Sequence, residues 1–246
     1  MKTEKRHNLS SLKCFIGLFL FIFNITPGVA EELKLRSFDA NFSLHIAKLH
    51  VANSRLSLSQ TGGGLWRWQT STKPRGVYGL LSNKKPYSET TFSLVSGHHL
   101  IQNILISDEG DKNLYEKTDF DWQKKQAQIV REKVIHTTTL DGDVYDYHSI
   151  NWLIANMIKT GKTELEVDFY LKGVIVKSVV KKIHNQNIDA SGQTLSAWVY
   201  EQTTISSRSK FRYYFNPKTP LLPLKIEKLK PGKKTATLLL KSVIWH

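Results

Sequence analysis

Residues 38–46 alternate apolar and polar side chains, so Phe38, Phe42, Leu44 and Ile46 share one face of an extended segment while polar groups take the other. This is the pattern of a half-buried strand. Leu56 and Leu58 repeat the alternation in 55–59. Thr61-Gly62-Gly63-Gly64 then offers a turn, and 65–69 returns with Trp66 and Trp68 on one face, which predicts a hairpin. Strand-like runs continue at 91–94, 100–106, 118–122, 127–133, 164–171, 174–183, 195–203, 210–215, 222–228 and 235–245, about a dozen in all. Residues 174–180 and 238–240 are apolar on both faces, as strands covered on each side or capped by a helix would be.

One stretch departs from the two-residue rhythm. Val144, Tyr147, Ile150, Asn151, Ile154, Met157 and Ile158 recur at three- and four-residue steps, with Asp143 placed to cap and Gly161 placed to stop, which predicts a helix over 143–158. A single amphipathic helix among many strands has its simplest home on the concave face of a bent sheet. The expected fold is therefore mainly β: a single strongly curved antiparallel sheet or open barrel with one amphipathic helix packed on it.

The first thirty residues follow another pattern. Lys2, Lys5, Arg6 and Lys13 precede an apolar run at 14–23, and Gly28-Val29-Ala30 supplies small residues suited to peptidase cleavage. The run is about half the length a membrane-spanning helix needs. Residues 1–30 thus read as a cleaved signal peptide and 31–246 as a single β-rich periplasmic domain with no transmembrane helix. Cys14 is the only cysteine and lies at the start of the apolar run, so neither lipidation nor a disulfide in the mature chain is expected.

Charge narrows the partners. The chain carries +14, and removing the leader's four basic residues and Glu4 leaves about +11. Export makes nucleic acid unsuitable, leaving an anionic envelope polymer, a lipid or an envelope protein as the expected partner. Many lysine doublets, such as Lys84-Lys85 and Lys233-Lys234, also fall where hairpin ends need solvation.

The order of motifs resembles a known family. The opening strand at 38–46, Pro74-Arg75-Gly76 running into Gly79-Leu80-Leu81, Glu89-Thr90-Thr91-Phe92, Phe120-Asp121-Trp122, the helix segment with Tyr147 and Ser149, Tyr214-Phe215-Asn216-Pro217, and 222–227 are similar to the bacterial exported family called domain of unknown function 3108. This chain departs from the pattern in having Phe215 and Asn216 before Pro217 and no glycine in a turn at 49–53. The resemblance implies an envelope protein with a curved sheet; it carries over no catalytic residue.

The residues point away from chemistry in the same way. No G-x-S-x-G turn and no H-E-x-x-H occurs, and His98-His99 on an extended chain must face opposite sides. Asp141, Asp143 and Asp146 lack the glycine and distal glutamate of a calcium loop, so helix capping explains them better. Asp119, Asp121, Glu164, Glu166 and Asp168 keep a carboxylate-pair hydrolase open, although the last three alternate opposite an apolar face. No catalytic residue, metal ligand or cofactor is assigned. The expectation is an uncharacterised, non-catalytic binding or interaction module of the cell envelope, with two alternatives: a carrier of an apolar or lipid ligand, or a hydrolase. If a ligand cavity exists, Trp66, Trp68, Phe92, Phe120, Trp122 and Tyr213 are its candidate lining, with Trp198 a further large ring. Arg67 and Arg75 are then the candidate contacts to an anionic group.

Overall fold

Alternation turns into one continuous sheet because almost every strand returns to its neighbour in sequence. In the computed structural model, which describes residues 33–81, 83–109, 115–205, 209–231 and 233–246, fifteen strands pair side by side. The first half comprises β1 (Phe38–Ile46), β2 (Leu49–Gln60), β3 (Leu65–Pro74), β4 (Pro86–Val95), β5 (His98–Asp108), β6 (Tyr115–Asp121), β7 (Gln126–Arg131) and β8 (Val134–Thr139). The second comprises β9 (Val144–Tyr145), β10 (Glu164–Leu171), β11 (Val174–Ala190), β12 (Gln193–Thr204), β13 (Lys210–Phe215), β14 (Pro223–Lys230) and β15 (Lys233–Trp245). Two helices interrupt them, α1 (Gly76–Leu81) between β3 and β4 and α2 (Ile150–Thr160) between β9 and β10.

The spatial order runs β8 to β1 and then β15 down to β9. Thus β1 and β15 meet at the centre, with Phe38 opposite Trp245 and Leu44 opposite Leu238, and the two free edges are β8 and β9. All pairs are antiparallel except β9 on β10. The sheet does not close, yet its arms curl until side chains bridge them. The Tyr170 hydroxyl of β10 donates to Glu116 Oε1 at 2.8 Å and lies 2.5 Å from Thr118 Oγ1. Arg131 Nη1 donates to the Lys172 carbonyl at 2.9 Å, and His136 Nε2 meets the Gly173 carbonyl at 3.0 Å. The fold is mainly β, a curved open sheet, as the alternation predicts.

Hairpin tips use the left-handed turns that match strand twist. Ser96-Gly97, Lys172-Gly173 and Ser191-Gly192 place glycine second, where positive φ is free. The β1–β2 tip departs from expectation: the turn is Ala47-Lys48, with φ of 47° and 70°, rather than 49–53. Tight strand pairing on both sides holds two non-glycine residues there, and His45 and His50 stack across the tip at 5.1 Å. Replacing the pair by Asn-Gly is expected to stabilise the protein by about 1 kcal/mol, seen as a raised urea midpoint at unchanged slope.

The helix also differs from its prediction. It starts at Ile150 rather than 143, because Val144 and Tyr145 gain more by pairing with Asp168 and Phe169, where both are buried. Between strand and helix, Asp146 Oδ1 accepts the backbone N–H groups of His148 (3.1 Å) and Ser149 (2.7 Å) and the Ser149 hydroxyl (2.7 Å), so Asp146 rather than Asp143 organises the helix entry. Gly161 ends the helix at φ 71°. Eight of the eleven residues of α2 are buried, including Trp152, Leu153 and Met157, and they pack on Val167, Phe169, Val180, Tyr200, Tyr213 and Phe215 of the concave face. The short α1 was not foreseen, and none of its residues is buried. The expected signal peptide at 1–30 lies outside the described residues. Among the described residues no helix is long and apolar enough to cross a membrane.

Candidate functional site

The concave face is filled unevenly. At the end formed by the start of β1 and the end of β15, Phe38, Leu58, Trp68 and Phe92 close-pack with no exposed surface to speak of. Toward the other end, small and polar side chains at Ser54, Thr70 and Ser88 replace large ones, and the sheet stands away from the turn before α2. The result is a cavity of about 290 Å³, close to the lower size of sites for small molecules. Its walls are mostly apolar, from Phe42, Leu56, Tyr147, Phe211, Tyr213, Ile226 and Leu238. Two larger hollows lie on polar or shallow outer surface, one along Asp39, Arg55 and Gln69 and one along His45, Lys48 and Lys234. Of these three, the concave cavity combines apolar walls with convergent buried polar groups.

Those polar groups form a chain of hydrogen bonds. The Thr90 hydroxyl donates to Asp146 Oδ2, so at its 2.8 Å contact with His148 Nδ1 it acts as acceptor and the imidazole must donate from Nδ1. His148 Nε2 is then an acceptor. It faces the hydroxyls of Thr70 at 2.8 Å and Ser88 at 3.3 Å, both on the cavity wall. Burial holds the His148 pKa below its ordinary value, against the pull of Asp146 and Glu89, so the ring is neutral at neutral pH. Asn151, 2% exposed, donates through Nδ2 to the His148 carbonyl at 2.9 Å, whereas its Oδ1 has no partner among the described residues. An unmet buried acceptor costs about 1–3 kcal/mol, and this one belongs to a residue that lines the cavity.

At the mouth, Tyr147 is 43% exposed and packs its ring edge-on to Phe169 and Phe211, 5.2 and 5.5 Å between centroids. Lys228 Nζ lies 5.7 Å from the centre of the Phe211 ring, a cation beside an apolar wall. Tyr213 donates to Gln202 Oε1 at 3.0 Å, and burial raises its pKa, as it does for Tyr147, so both phenols stay neutral.

The residues singled out from sequence are dispersed. Tyr213 alone among them lines this cavity. Trp68 and Phe92 sit wholly inside the packed end, Trp66 packs against the same cluster, and Phe120 and Trp122 belong to a separate cluster under β5–β7, where the Trp122 indole donates to the Ile101 carbonyl at 2.7 Å. Trp198 packs near α2 under the Lys182 ammonium, 3.2 Å from its ring centre. Arg67, adjacent in strand to Trp66 and Trp68, necessarily points to the convex side, where its Nε is 3.3 Å from Glu89 Oε1. Arg75 is exposed beside α1. None of these arginines reaches the cavity, because alternation sends neighbours to opposite faces.

His98 and His99 diverge as their adjacency requires: His98 pairs with Asp143 at 3.3 Å, while His99 is fully buried against Phe92 and Trp152. The carboxylates considered for glycoside chemistry lie on separate strands, β6 and β10, and pair with lysines, Asp119 on Lys117, Asp121 on Lys124, Glu164 on Lys181 and Asp168 on Lys177; Glu164 and Glu166 are exposed and the others half-buried. Sequence reasoning takes Asp146 as a helix cap, Asn151 as part of a helical period and Thr90 as part of a strand motif, and does not single out His148, Thr70 or Ser88; it does not join the six into a site because three segments far apart in sequence supply them. The available signal was a polar run, 146–149, inside an otherwise apolar periodic stretch.

No family model matches the chain. No curated protein matches it either. Among solved structures, a β-barrel-like protein of the domain of unknown function DUF1849 from Brucella abortus is similar over 87% of this chain and 99% of its own, with a TM-score of 0.58 at 6% identity. A protein described as exported, with a YmcC-like fold, from Bacteroides fragilis covers 86% of this chain and 97% of its own at 5% identity and a TM-score of 0.38. The first likeness establishes a shared β-barrel-like fold and nothing about activity.

Proposed function

We propose that this chain is an exported, periplasmic and non-catalytic binding protein, related by its motif order to domain of unknown function 3108, and that it holds a small, mainly apolar molecule in the concave cavity. The observation that carries this reading is the Asn151 carboxamide oxygen, buried and, among the described residues, unpartnered in a cavity whose walls are mostly apolar. A ligand whose polar end donates a hydrogen bond, such as a hydroxyl, supplies the missing partner, while its apolar body replaces water against Phe42, Leu56 and Leu238. The His148 network favours binding over nucleophilic attack. Its imidazole is 3.9 Å from Asp146 Oδ2, with the Thr90 hydroxyl between them, so the carboxylate orients the ring only indirectly.

Native mass spectrometry and organic extraction of the protein purified from its own cells test this. Recovery of a bound apolar molecule is expected. Asn151→Leu should weaken its retention about tenfold, as loss of one buried hydrogen bond does. Leu238→Trp, which fills the cavity, should abolish retention while the protein remains folded. A chain that yields no ligand and binds none when offered apolar alcohols contradicts the reading.

A further inference from the structure

We propose that the end of the sheet bearing α1 docks on an anionic lipid surface, and that the cavity exchanges its ligand across this contact. The exchange step rests on the cavity reading above; the docking step does not. α1 spends its apolar side chains on solvent: Val77 is 65%, Leu80 87% and Leu81 80% exposed. Among the described residues nothing covers them. The β1–β2 tip stands beside it, joined through the Arg75 N–H to the Val51 carbonyl at 2.8 Å, and adds Leu49, 59% exposed. Exposed apolar groups gathered in this way mark an interaction surface.

Charge selects the occupant. Residues 70–88 contain Lys73, Arg75, Lys84 and Lys85 and no acidic residue, although Lys85 pairs with Glu109 of the adjacent β5 end at 3.1 Å and its backbone N–H with Asp108, and the tip at 44–54 adds Lys48, again with no acid. Lys48, Lys73 and Arg75 are exposed and have no carboxylate partner among the described residues. Apolar side chains ringed by cations fit a bilayer with anionic headgroups, where the leucines enter the interface and the lysines meet phosphate. The cavity is near. Thr70 and Ser88 lie four and two residues from the β3 and β4 ends that α1 connects, about 7–13 Å along the strands. A ligand leaving past Thr70 and Ser88 therefore emerges beside the docked surface.

Sedimentation of the purified protein with phosphatidylcholine vesicles, with and without phosphatidylglycerol, tests docking. Binding is expected only with phosphatidylglycerol and should weaken as salt is raised. Leu80→Asp with Leu81→Asp should reduce binding at least about tenfold, and Lys73→Glu with Arg75→Glu about tenfold, each with an unchanged unfolding midpoint because the sites are exposed. Absence of binding to either vesicle, which would leave a protein as the occupant, overturns the proposal. So does undiminished binding by both variants. If the variants lose vesicles yet the parent carries no ligand, docking stands and the cavity reading falls. If both variants lose vesicle binding yet load and release ligand from vesicles as the parent does, the exchange step falls while docking and the cavity reading stand.

Discussion

Trp68→Ala is expected to cost about 3–5 kcal/mol of unfolding free energy, the range for deleting a fully buried large ring. Trp68 has no exposed surface and lies 5.6 Å from Phe38 in an edge-on contact, within the cluster where β1 to β4 meet the far ends of β12 to β15. Its neighbours are held by strand pairing and cannot collapse into the void. Trp68→Phe should cost much less, within about 1.5 kcal/mol. It keeps most of the apolar volume and removes an indole N–H that is buried with no acceptor. Urea unfolding of both variants checks this. Both should retain the cavity ligand, since Trp68 packs elsewhere; loss of ligand from a well-folded Trp68→Phe would show that the packed end takes part in binding.

Acid should weaken the fold well before most carboxylates titrate. His99 is wholly buried, its ring nitrogens have no partner among the described residues, and it stacks on Phe92 at 4.2 Å. Burial depresses its pKa to about 4, only partly offset by the charge of Asp146. In the unfolded chain the same group takes its proton near 6.5. Above that pH the ring is neutral in both states and adds no dependence on pH. Between about 6.5 and 4 the unfolded chain binds the extra proton, so stability falls as pH falls, by up to about 1.4 kcal/mol per unit and on the order of 3 kcal/mol in total. The neighbouring His148, also depressed, acts with the same sign. His99→Phe, which keeps the stack, should remove the larger part of this slope in urea midpoints taken from pH 7.5 to 5. An acid dependence identical to that of the parent would show that His99 is not its source.

What could be read from sequence was whatever repeats locally. Alternation in β1 and the glycine turn between β2 and β3 are local, and both stand as expected. So does the glycine that stops α2. The failures lie where tertiary contacts decide. Val144 and Tyr147 fit the helical period, yet β10 captures Val144 for the sheet and leaves Tyr147 on the cavity wall. Ala47-Lys48 turns without glycine because two long strands force it to. The six residues of α1 are too few to show a period. For the candidate site, composition correctly signalled many rings but could not say which would pack and which would face a cavity. That choice depends on where Ser54, Thr70 and Ser88 leave room.

Pairing β1 with β15 has a consequence for the newborn chain. Asp39 and His246, 207 positions apart, end side by side, so the middle of the sheet is its last seam to be sewn. At ordinary ribosomal speed the first strand waits roughly ten to forty seconds for its partner, offering a bare row of amides to any other chain nearby. A holdase that shields extended segments is what this topology asks of the cell. A chain that stops before residue 233 lacks β15 and should aggregate or be degraded.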